Sequence, residues 1–401
     1  MTSNDPGPDR ARLLDELHEL LDERPDSAKA RQQRLLTEIS QVPDLPIVLY
    51  GAGNLGRRTQ RLLAGRGFEV AAFIDNDWAR WGTTLEGVPI MSPVDASERF
   101  AAAGGVAIDT IWRAEGGHDH LAVRAELLAH GWRRVESFIA LYWGLGDDAL
   151  PWLTIERPTH LLHDRAAVLQ AARLWGDDRS LREYVGQVRW RLNADFSALS
   201  APEPDQYFPH DLVSLLDHEV VVDCGAFVGD TLLSFASRVS SWRAYHAFEP
   251  DPESFTALRS AQARLPSALA ERVHLHQVAT ADRNGTARFS ASGLASASIT
   301  ADGDVEIECV TIDDVLAGEI PTFVKMDIEG AESSALRGGS RAIRGGRPLM
   351  AISAYHKQHD LWSLALQIRD LVPEHSLHLR PHSAEGFDTI LYAIPPDRAR
   401  R

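Results

Sequence analysis

The sequence contains only two cysteines among 401 residues, Cys224 and Cys309, and they do not have metal-ligand spacing. So few cysteines exclude a disulfide-stabilised scaffold and predict a reducing compartment. Basic residues are also scarce, since 41 lysines and arginines face 57 acidic residues and the formal net charge is −16. Because proteins that bind a phosphate backbone need a basic surface, this balance argues against a nucleic-acid partner.

Long apolar segments are missing as well. The first ten residues, MTSNDPGPDR, are polar and lack the apolar region of a signal peptide. No apolar run elsewhere reaches the roughly 20 residues that a spanning helix needs. We therefore expect a cytoplasmic protein with no membrane partner. Its length predicts two or three domains, and a hydrophobic content of 44% is enough for large cores.

Changes in hydrophobic periodicity divide the chain into four segments. Residues 1–44 form a helical segment with leucines at helical spacing, typical of a docking or dimer helix, so a homo-oligomer remains open. Residues 45–150 alternate strands and helices as in a Rossmann-like nucleotide-binding domain, and 151–210 form a helical connector. Residues 211–396 alternate again and end in two strands joined by a short turn. The predicted fold class is α/β, with two Rossmann-like doubly wound domains and an antiparallel closing hairpin in the second.

The first glycine-rich turn, GAGNLG, lies between a strand and a helix of the 45–150 segment. Gly51 permits a tight turn, Gly53 lets the backbone approach a pyrophosphate, and Gly56 allows close helix–strand packing. Asn54 opens the helix, whose N-terminus favours anions, and Asp75 at the end of the next strand can bind ribose hydroxyls. These residues predict a nucleotide-type ligand. The alternative is a retained fold with an empty crevice.

The second turn, VVVDCGAFVGDT, has one glycine fewer and an acid at each end, Asp223 and Asp230. Acids are unfavourable beside a pyrophosphate but suit a cationic ligand. S-adenosylmethionine carries an ammonium, a sulfonium and a ribose with two free hydroxyls. Asp223 can act near its amino-acid end, and Glu249, at the end of the next strand, can accept hydrogen bonds from the ribose pair. In the alternative interpretation, Asp223 and Asp230 only cap the helix.

From about Gln206 onward the sequence resembles the FkbM family of S-adenosylmethionine-dependent methyltransferases. The resemblance rests on QYFP, VVDCGAFVGDT, AFEPDPESF, FVKMDIEGAE, YHKQHDLW and DTILYAI. It implies a class I methyltransferase sheet and places Asp327 beside the transferable methyl group. Asp388 departs from the family pattern, which often has Glu there. Residues 45–145 look like the Rossmann-type domain that precedes some FkbM proteins. The cofactor-binding residues that we expect are Asp223, Cys224, Gly225, Ala226, Phe227, Gly229, Asp230, Phe248, Glu249 and Pro250.

The stretch FVKMDIEGAE places Lys325, Asp327 and Glu329 at alternate positions where a buried strand should end. Three interpretations compete: a metal site, a catalytic edge, or a solvated strand end. Ligands of open α/β sheets bind at the carboxyl ends of the strands, which favours a catalytic role for Asp327, assisted by Lys325. Lys325 and Glu329 are equally typical of ordinary charges at a strand end. A divalent metal held by Asp327, Glu329 and a histidine remains an alternative, but we expect none.

Together these features predict an S-adenosylmethionine-dependent O-methyltransferase. Its acceptor is a small hydroxylated molecule: a sugar, a nucleotide-linked sugar or a polyketide-type product. His356 is the candidate general base because its ordinary pKa of about 6.5 suits proton abstraction near neutrality, with His382 as second choice. Tyr355 and Trp362 are candidates to line the acceptor pocket. The alternatives are an NAD-linked oxidoreductase or epimerase, which lacks a visible Tyr-x-x-x-Lys pair near the first turn, and a non-catalytic ligand-sensing module.

Overall fold

The structure is a computed structural model that describes residues 7–42, 44–111, 119–290, 298–299 and 305–399. The chain forms two compact units. Within the described ranges, every helix is too short or too polar to span a bilayer. The first unit contains Met1–Ala166, Val185–Ala201 and Ser383–Phe387, and the second contains Ala167–Tyr184, Pro202–His382 and Asp388–Arg401.

These units divide the chain differently from the segments expected from the sequence. Residues 1–44 lie in the same unit as the expected nucleotide-binding domain, and the expected connector, 151–210, is shared between the two units. The chain passes from one unit to the other within two of its helices, α8 (Arg165–Ala172) and α9 (Asp178–Asn193).

The N-terminal segment of the first unit is two helices, α1 (Pro8–Leu21) and α2 (Pro25–Gln41), where the leucine pattern predicted continuous helix. The break is explained by Pro25, which has no backbone N–H and is favoured at the first position of a new helix. Leu13, Leu17 and Leu21 of α1 are buried, as their spacing predicts.

The first unit contains a six-stranded sheet in the order β3-β4-β2-β1-β5-β6. All neighbouring pairs are parallel except β3–β4. Its strands are β1 (Ile47–Tyr50), β2 (Val70–Ile74), β3 (Thr84–Leu85), β4 (Val88–Met91), β5 (Val106–Asp109) and β6 (Val135–Ser137). The accompanying helices are α3 (Asn54–Gly65), α4 (Pro93–Ala96), α5 (His120–Ala129), α6 (Phe138–Leu145) and α7 (Pro158–His163), with short 3-10 or π turns at Trp78–Arg80, Ser97–Ala101, Gly146–Asp148 and Phe196–Ala198.

The second unit contains a seven-stranded sheet in the order β16-β17-β15-β14-β7-β8-β9. The five strands β7, β8, β9, β14 and β15 are mutually parallel, and the antiparallel β16–β17 hairpin closes the sheet against β15. This arrangement confirms the predicted doubly wound sheet with its closing hairpin. The strands are β7 (Val220–Cys224), β8 (Ala244–Phe248), β9 (Val273–His276), β14 (Phe323–Met326), β15 (Leu349–Ser353), β16 (Ser376–Pro381) and β17 (Thr389–Ile394).

A smaller four-stranded sheet, which the sequence analysis did not predict, follows β9 in the chain. Its order is β10-β13-β11-β12, formed by β10 (Ala279–Thr280), β11 (Gly285–Ser290), β12 (Ser298–Ile299) and β13 (Val305–Val310). The helices of the unit are α10 (Asp230–Ala236), α11 (Pro252–Ala263), α12 (Ser267–Ala270), α13 (Ile312–Leu316), α14 (Glu332–Gly338), α15 (Ser340–Gly346) and α16 (Asp360–Leu371).

The central pair of the seven-stranded sheet positions the candidate site. All residues of β7 and β14 are buried, as expected for parallel strands covered on both faces. The two strands are in register, with Lys325 opposite Asp223 and Met326 opposite Cys224. Both strands therefore end at the same edge, and the glycine turn after β7 lies next to the loop after β14.

Candidate active site

Gly225 makes the close approach between these two segments possible. Its φ is +78°, a left-handed conformation that favours glycine, and a Cβ there would overlap the carbonyl oxygen of Asp327. The turn continues through Phe227, also left-handed with φ 46°, to Gly229 with φ 84°, after which Asp230 starts α10. The predicted glycine turn therefore exists and packs directly against the strand end that carries Asp327.

Lys325 and Asp223 form a buried ion pair beneath this turn. The lysine Nζ lies 3.0 Å from Oδ1 of Asp223 and donates to the carbonyl oxygen of Gly225 at 2.5 Å. The hydroxyl of Tyr245 donates to Oδ2 of Asp223 at 2.7 Å. Burial by itself lowers the pKa of Lys325, but the charges of Asp223 and Asp327 raise it above its ordinary value. These contacts favour a structural role for Asp223 and Lys325, in holding the turn.

Glu249 lies just beyond the end of β8 and is held by the backbone. The N–H of Phe227 donates to its Oε2 at 2.9 Å, and the N–H of Asp251 donates to its Oε1 at 2.8 Å. Burial raises the pKa of Glu249, while these two backbone hydrogen bonds oppose the rise. Each carboxylate oxygen keeps a second lone pair, so the group can still accept two hydrogen bonds from a ligand.

The remaining predicted cofactor residues surround this carboxylate. Phe248 is buried and stacks on His276, with ring centroids 4.6 Å apart. The N–H groups of Gly225 and Ala226 both donate to the carbonyl oxygen of Phe248. Cys224 is fully buried, and burial raises its thiol pKa to about 12, so it is not a nucleophile at neutral pH. Pro250 is partly buried next to Glu249.

Asp327 accepts hydrogen bonds from two tyrosines. Tyr207 donates to Oδ2 at 2.6 Å and Tyr355 donates to Oδ1 at 3.2 Å, while Nε2 of His356 lies 3.2 Å from Oδ1. Burial by itself raises the pKa of Asp327, but His356 and then Lys325 lower it well below its ordinary value. Asp327 is therefore an anion at the carboxyl edge of the sheet.

His356 lies between two carboxylates. Its Nδ1 is 2.8 Å from Oε1 of Glu332, a fully buried residue, and its Nε2 faces Asp327. Burial by itself lowers the pKa of His356, but Glu332 and Asp327 raise it well above its ordinary value. Unless another positive charge is present, the imidazole holds its proton at neutral pH. The prediction that His356 acts as a base at its ordinary pKa therefore requires a change in its surroundings.

Further acids lie around this histidine. Oε1 of Glu329 is 3.8 Å from Nε2 of His356. Asp360 is buried, and burial followed by the charge of Glu332 raises its pKa to about 7. Asp327, Glu332 and His356 place possible metal-ligand atoms within 4.8 Å of one another.

The glycine turn of the first unit has the local geometry that the motif predicts. Gly51 has φ +104°, and a Cβ on Gly56 would overlap the carbonyl oxygen of Gly51. A Cβ on Gly53 would meet no atom within 4 Å among the described residues, so the backbone there is open to a ligand. Gly53 caps α3, whose first residue is Asn54.

Asp75 is engaged with this turn from the end of β2. Its Oδ2 accepts a hydrogen bond from the N–H of Ala52 at 3.1 Å and from Nη1 of Arg80 at 2.8 Å. Nη2 of Arg80 donates to the carbonyl oxygen of Ala52 at 2.7 Å. Arg80 thus places a guanidinium beside the turn, a cation that the sequence analysis did not identify.

Three residues of the site were not predicted from the sequence: Tyr207, Tyr245 and Glu332. Tyr207 belongs to the quoted QYFP motif, which was a usable signal, and Glu332 is the last residue of the quoted stretch FVKMDIEGAE.

The second-choice base, His382, is held elsewhere by the carbonyl oxygen of Glu203 and the hydroxyl of Tyr392. Trp362 is buried in α16, which favours a core role.

Comparisons with known proteins find similarity to two kinds of protein. Residues 223–379 match the family model of the methyltransferase FkbM domain. The crystal structure of a methyltransferase FkbM from Methylobacillus flagellatus KT is similar with a TM-score of 0.76, covering 97% of this chain and 100% of that chain at 24% identity, a likeness that shows the fold. Redox-sensing transcriptional repressors Rex from Streptomyces avermitilis and Streptomyces griseus are 38% and 37% identical over 76 residues, 18% of this chain. The chain spans 30% of the length of each of these two curated relatives.

Proposed function

We propose that this chain, which carries a methyltransferase FkbM domain at residues 223–379, transfers a methyl group from S-adenosylmethionine to a hydroxyl of a small molecule. The observation that carries the proposal is the position of Glu249 beside a glycine turn that packs against Asp327. These three features meet at the carboxyl edge of a parallel sheet, where open α/β folds bind their ligands.

The residues of this edge fit the cofactor. Glu249 has two oxygens oriented by backbone N–H groups, each able to accept a further hydrogen bond from a ribose hydroxyl. Gly225 and Gly229 let this left-handed turn pack closely against Asp327 and against Ala261 of α11, which fixes the turn beside Glu249. When bound, S-adenosylmethionine supplies a methyl group on a cationic sulfur. The anionic Asp327 would stabilise that charge.

The acceptor would lie beside Asp327 and His356. A carboxylate here can accept a hydrogen bond from the acceptor hydroxyl and orient its oxygen, and positioning contributes much of the rate of such displacements. The hydroxyl proton would leave toward the Asp327–His356 pair. A positive charge close to Nε2 lowers the pKa of the imidazole, so a bound cationic cofactor would prepare His356 to receive that proton. Sugars, nucleotide-linked sugars and polyketide-type products all offer hydroxyls of this kind.

Calorimetric titration with S-adenosylhomocysteine tests the cofactor site. Glu249→Ala removes two charge-assisted hydrogen bonds and should weaken binding by about 2–4 kcal/mol. Glu253→Ala, an exposed acid in the first turn of α11, is the matched control and should bind like wild type. Equal affinity in wild type and Glu249→Ala would place the cofactor elsewhere.

A second function is favoured for the first unit, where we propose a nucleotide-type ligand at Gly51, Gly53, Asn54 and Gly56. The supporting observation is the open backbone at Gly53 next to the N-terminus of α3. The guanidinium of Arg80 lies beside the same turn and can interact with a negatively charged phosphate. The similarity to redox-sensing repressors supports a ligand-sensing role over an oxidoreductase reaction.

A further inference from the structure

We propose that Asp327, Glu329 and His356 bind a divalent cation of the Mg²⁺ or Mn²⁺ type. The cation site stands on geometry alone, whereas its role in methyl transfer rests on the proposed function. The sequence left such a metal as the less favoured alternative. The position of one ring nitrogen changes that balance.

The nitrogen concerned is Nε2 of His356. The side chain is 1% exposed, and Nε2 has no aligned hydrogen-bond partner among the described residues. Two carboxylate oxygens nevertheless lie close to it, Oδ1 of Asp327 at 3.2 Å and Oε1 of Glu329 at 3.8 Å. Neighbouring ligand atoms of an octahedral cation with bonds of about 2.1 Å lie roughly 3 Å apart. The two distances from Nε2 to these carboxylate oxygens, 3.2 and 3.8 Å, are close to that spacing.

Glu332 lies close to the same histidine but does not face Nε2. It contacts Nδ1, on the opposite side of the ring from Asp327, and its Oε1 also accepts the N–H of Ile328 at 2.9 Å. A carboxylate that binds the second nitrogen of a ligating histidine fixes the tautomer and orients the ring. We therefore assign Glu332 to positioning His356, and Glu329 to the cation.

The two carboxylates leave the cation accessible. The side chains of Asp327 and Glu329 are 22% and 21% exposed, in contrast to the buried imidazole. Glu329 is held in the left-handed region with φ 53°, a conformation that is unfavourable for a residue with a Cβ. Two carboxylates and one imidazole form a mixed oxygen and nitrogen donor set, and the open positions remain for water or an acceptor.

A cation at this position changes the role of His356. Nε2 can be a ligand or a base, but not both at once. A cation beside the acceptor oxygen lowers the pKa of the hydroxyl, so its proton can leave to water. The oxygen then forms its bond to the methyl carbon, while the carbon–sulfur bond breaks and its electron pair stays on sulfur. Charges balance, since the sulfonium becomes a neutral thioether.

Mn²⁺ titration followed by electron paramagnetic resonance tests the site on the full chain. Wild type, stripped with a chelator, should bind one Mn²⁺ per chain. Glu329→Gln should bind at least about tenfold more weakly, and Glu332→Gln about 10–100-fold more weakly. Glu319→Gln is the matched control, because Glu319 pairs with Nε2 of His246 at 2.9 Å in the same unit. It should bind Mn²⁺ like wild type, and far-ultraviolet circular dichroism should show all variants folded.

The cation site is overturned if stripped wild type binds no Mn²⁺, or if Glu329→Gln and wild type bind it equally. Calorimetry with S-adenosylhomocysteine on the same stripped protein separates the two proposals. Cofactor binding without Mn²⁺ binding removes the cation site and leaves the methyltransferase proposal standing. Mn²⁺ binding without cofactor binding supports the cation site and overturns the methyltransferase proposal.

Discussion

Lys325 lies opposite Asp223 in the strand register, and its Nζ is 3.0 Å from the Asp223 carboxylate. This pair explains one of the three charges in FVKMDIEGAE. The buried side chain of Lys325 ties β14 to β7 and to the turn after it, whereas Asp327 lies at the strand end and Glu329 lies in the following loop. Alternate positions in the sequence thus have different surroundings.

Replacing Lys325 by Met should destabilise the protein. The variant leaves the Asp223 carboxylate buried without its cation, although the Tyr245 hydroxyl still donates to it, and an uncompensated buried charge costs about 3–5 kcal/mol. Urea unfolding measures the loss. Arg347→Met, which removes the exposed pair between Arg347 and Glu374, should leave the midpoint unchanged. Wild-type stability in Lys325→Met would show that the pair is not a structural element.

Gly225→Ala should also destabilise the protein and abolish cofactor binding. The new Cβ would overlap the Asp327 carbonyl oxygen and would require a left-handed alanine, so β7 and β14 must separate. Steric overlap and backbone strain together should cost about 3 kcal/mol or more. Gly285→Ala in β11, where a Cβ meets no atom within 4 Å, is the control for thermal unfolding. If both variants behave alike, the two loops are not in contact.

Asp327→Asn should retain the fold and most of the affinity for S-adenosylhomocysteine. Turnover should fall by about 10²–10⁴, the usual contribution of a positioned acid or base group. The assay follows radiolabelled methyl transfer onto a panel of hydroxylated small molecules, using the best acceptor for the comparison. Asp282→Asn, an exposed acid of the same unit, should turn over like wild type. Turnover of Asp327→Asn within a few-fold of wild type would remove this carboxylate from the reaction.

Gly53→Val should block the proposed ligand of the first unit while leaving the protein folded. The side chain has room within the described residues, but it would occupy the space that a phosphate needs. Thermal shift with NAD, NADP and nucleotide sugars at millimolar concentration should show protection of wild type and none of the variant. Gly65→Val, at the other end of α3, is the control. Protection of Gly53→Val, or no protection of wild type by any nucleotide, would contradict the proposal.

Much of the fold could be predicted because its signals are local. Strand and helix periodicities, glycine turns and the final pair of strands each depend on residues close together in the chain. They predicted the parallel sheet with its hairpin, the buried strand that ends before Asp327, and Glu249 at the end of β8. The break at Pro25 was also local, but the leucine spacing outweighed it in the prediction. The short strands β10 and β12 have two residues each, too few for a periodicity.

The sequence by itself determined which residue types reach the carboxyl edge of the sheet, because strand ends and turns follow from local patterns. The tertiary structure decided how those residues pair. Tyr207 reaches Asp327 across 120 residues, and Lys325 reaches the carbonyl of Gly225 across 100. Only the folded structure shows that Glu332 contacts Nδ1 of His356, while Asp327 and Glu329 face Nε2. The physical reason is that pairing depends on strand register and side-chain direction, which only long-range packing sets.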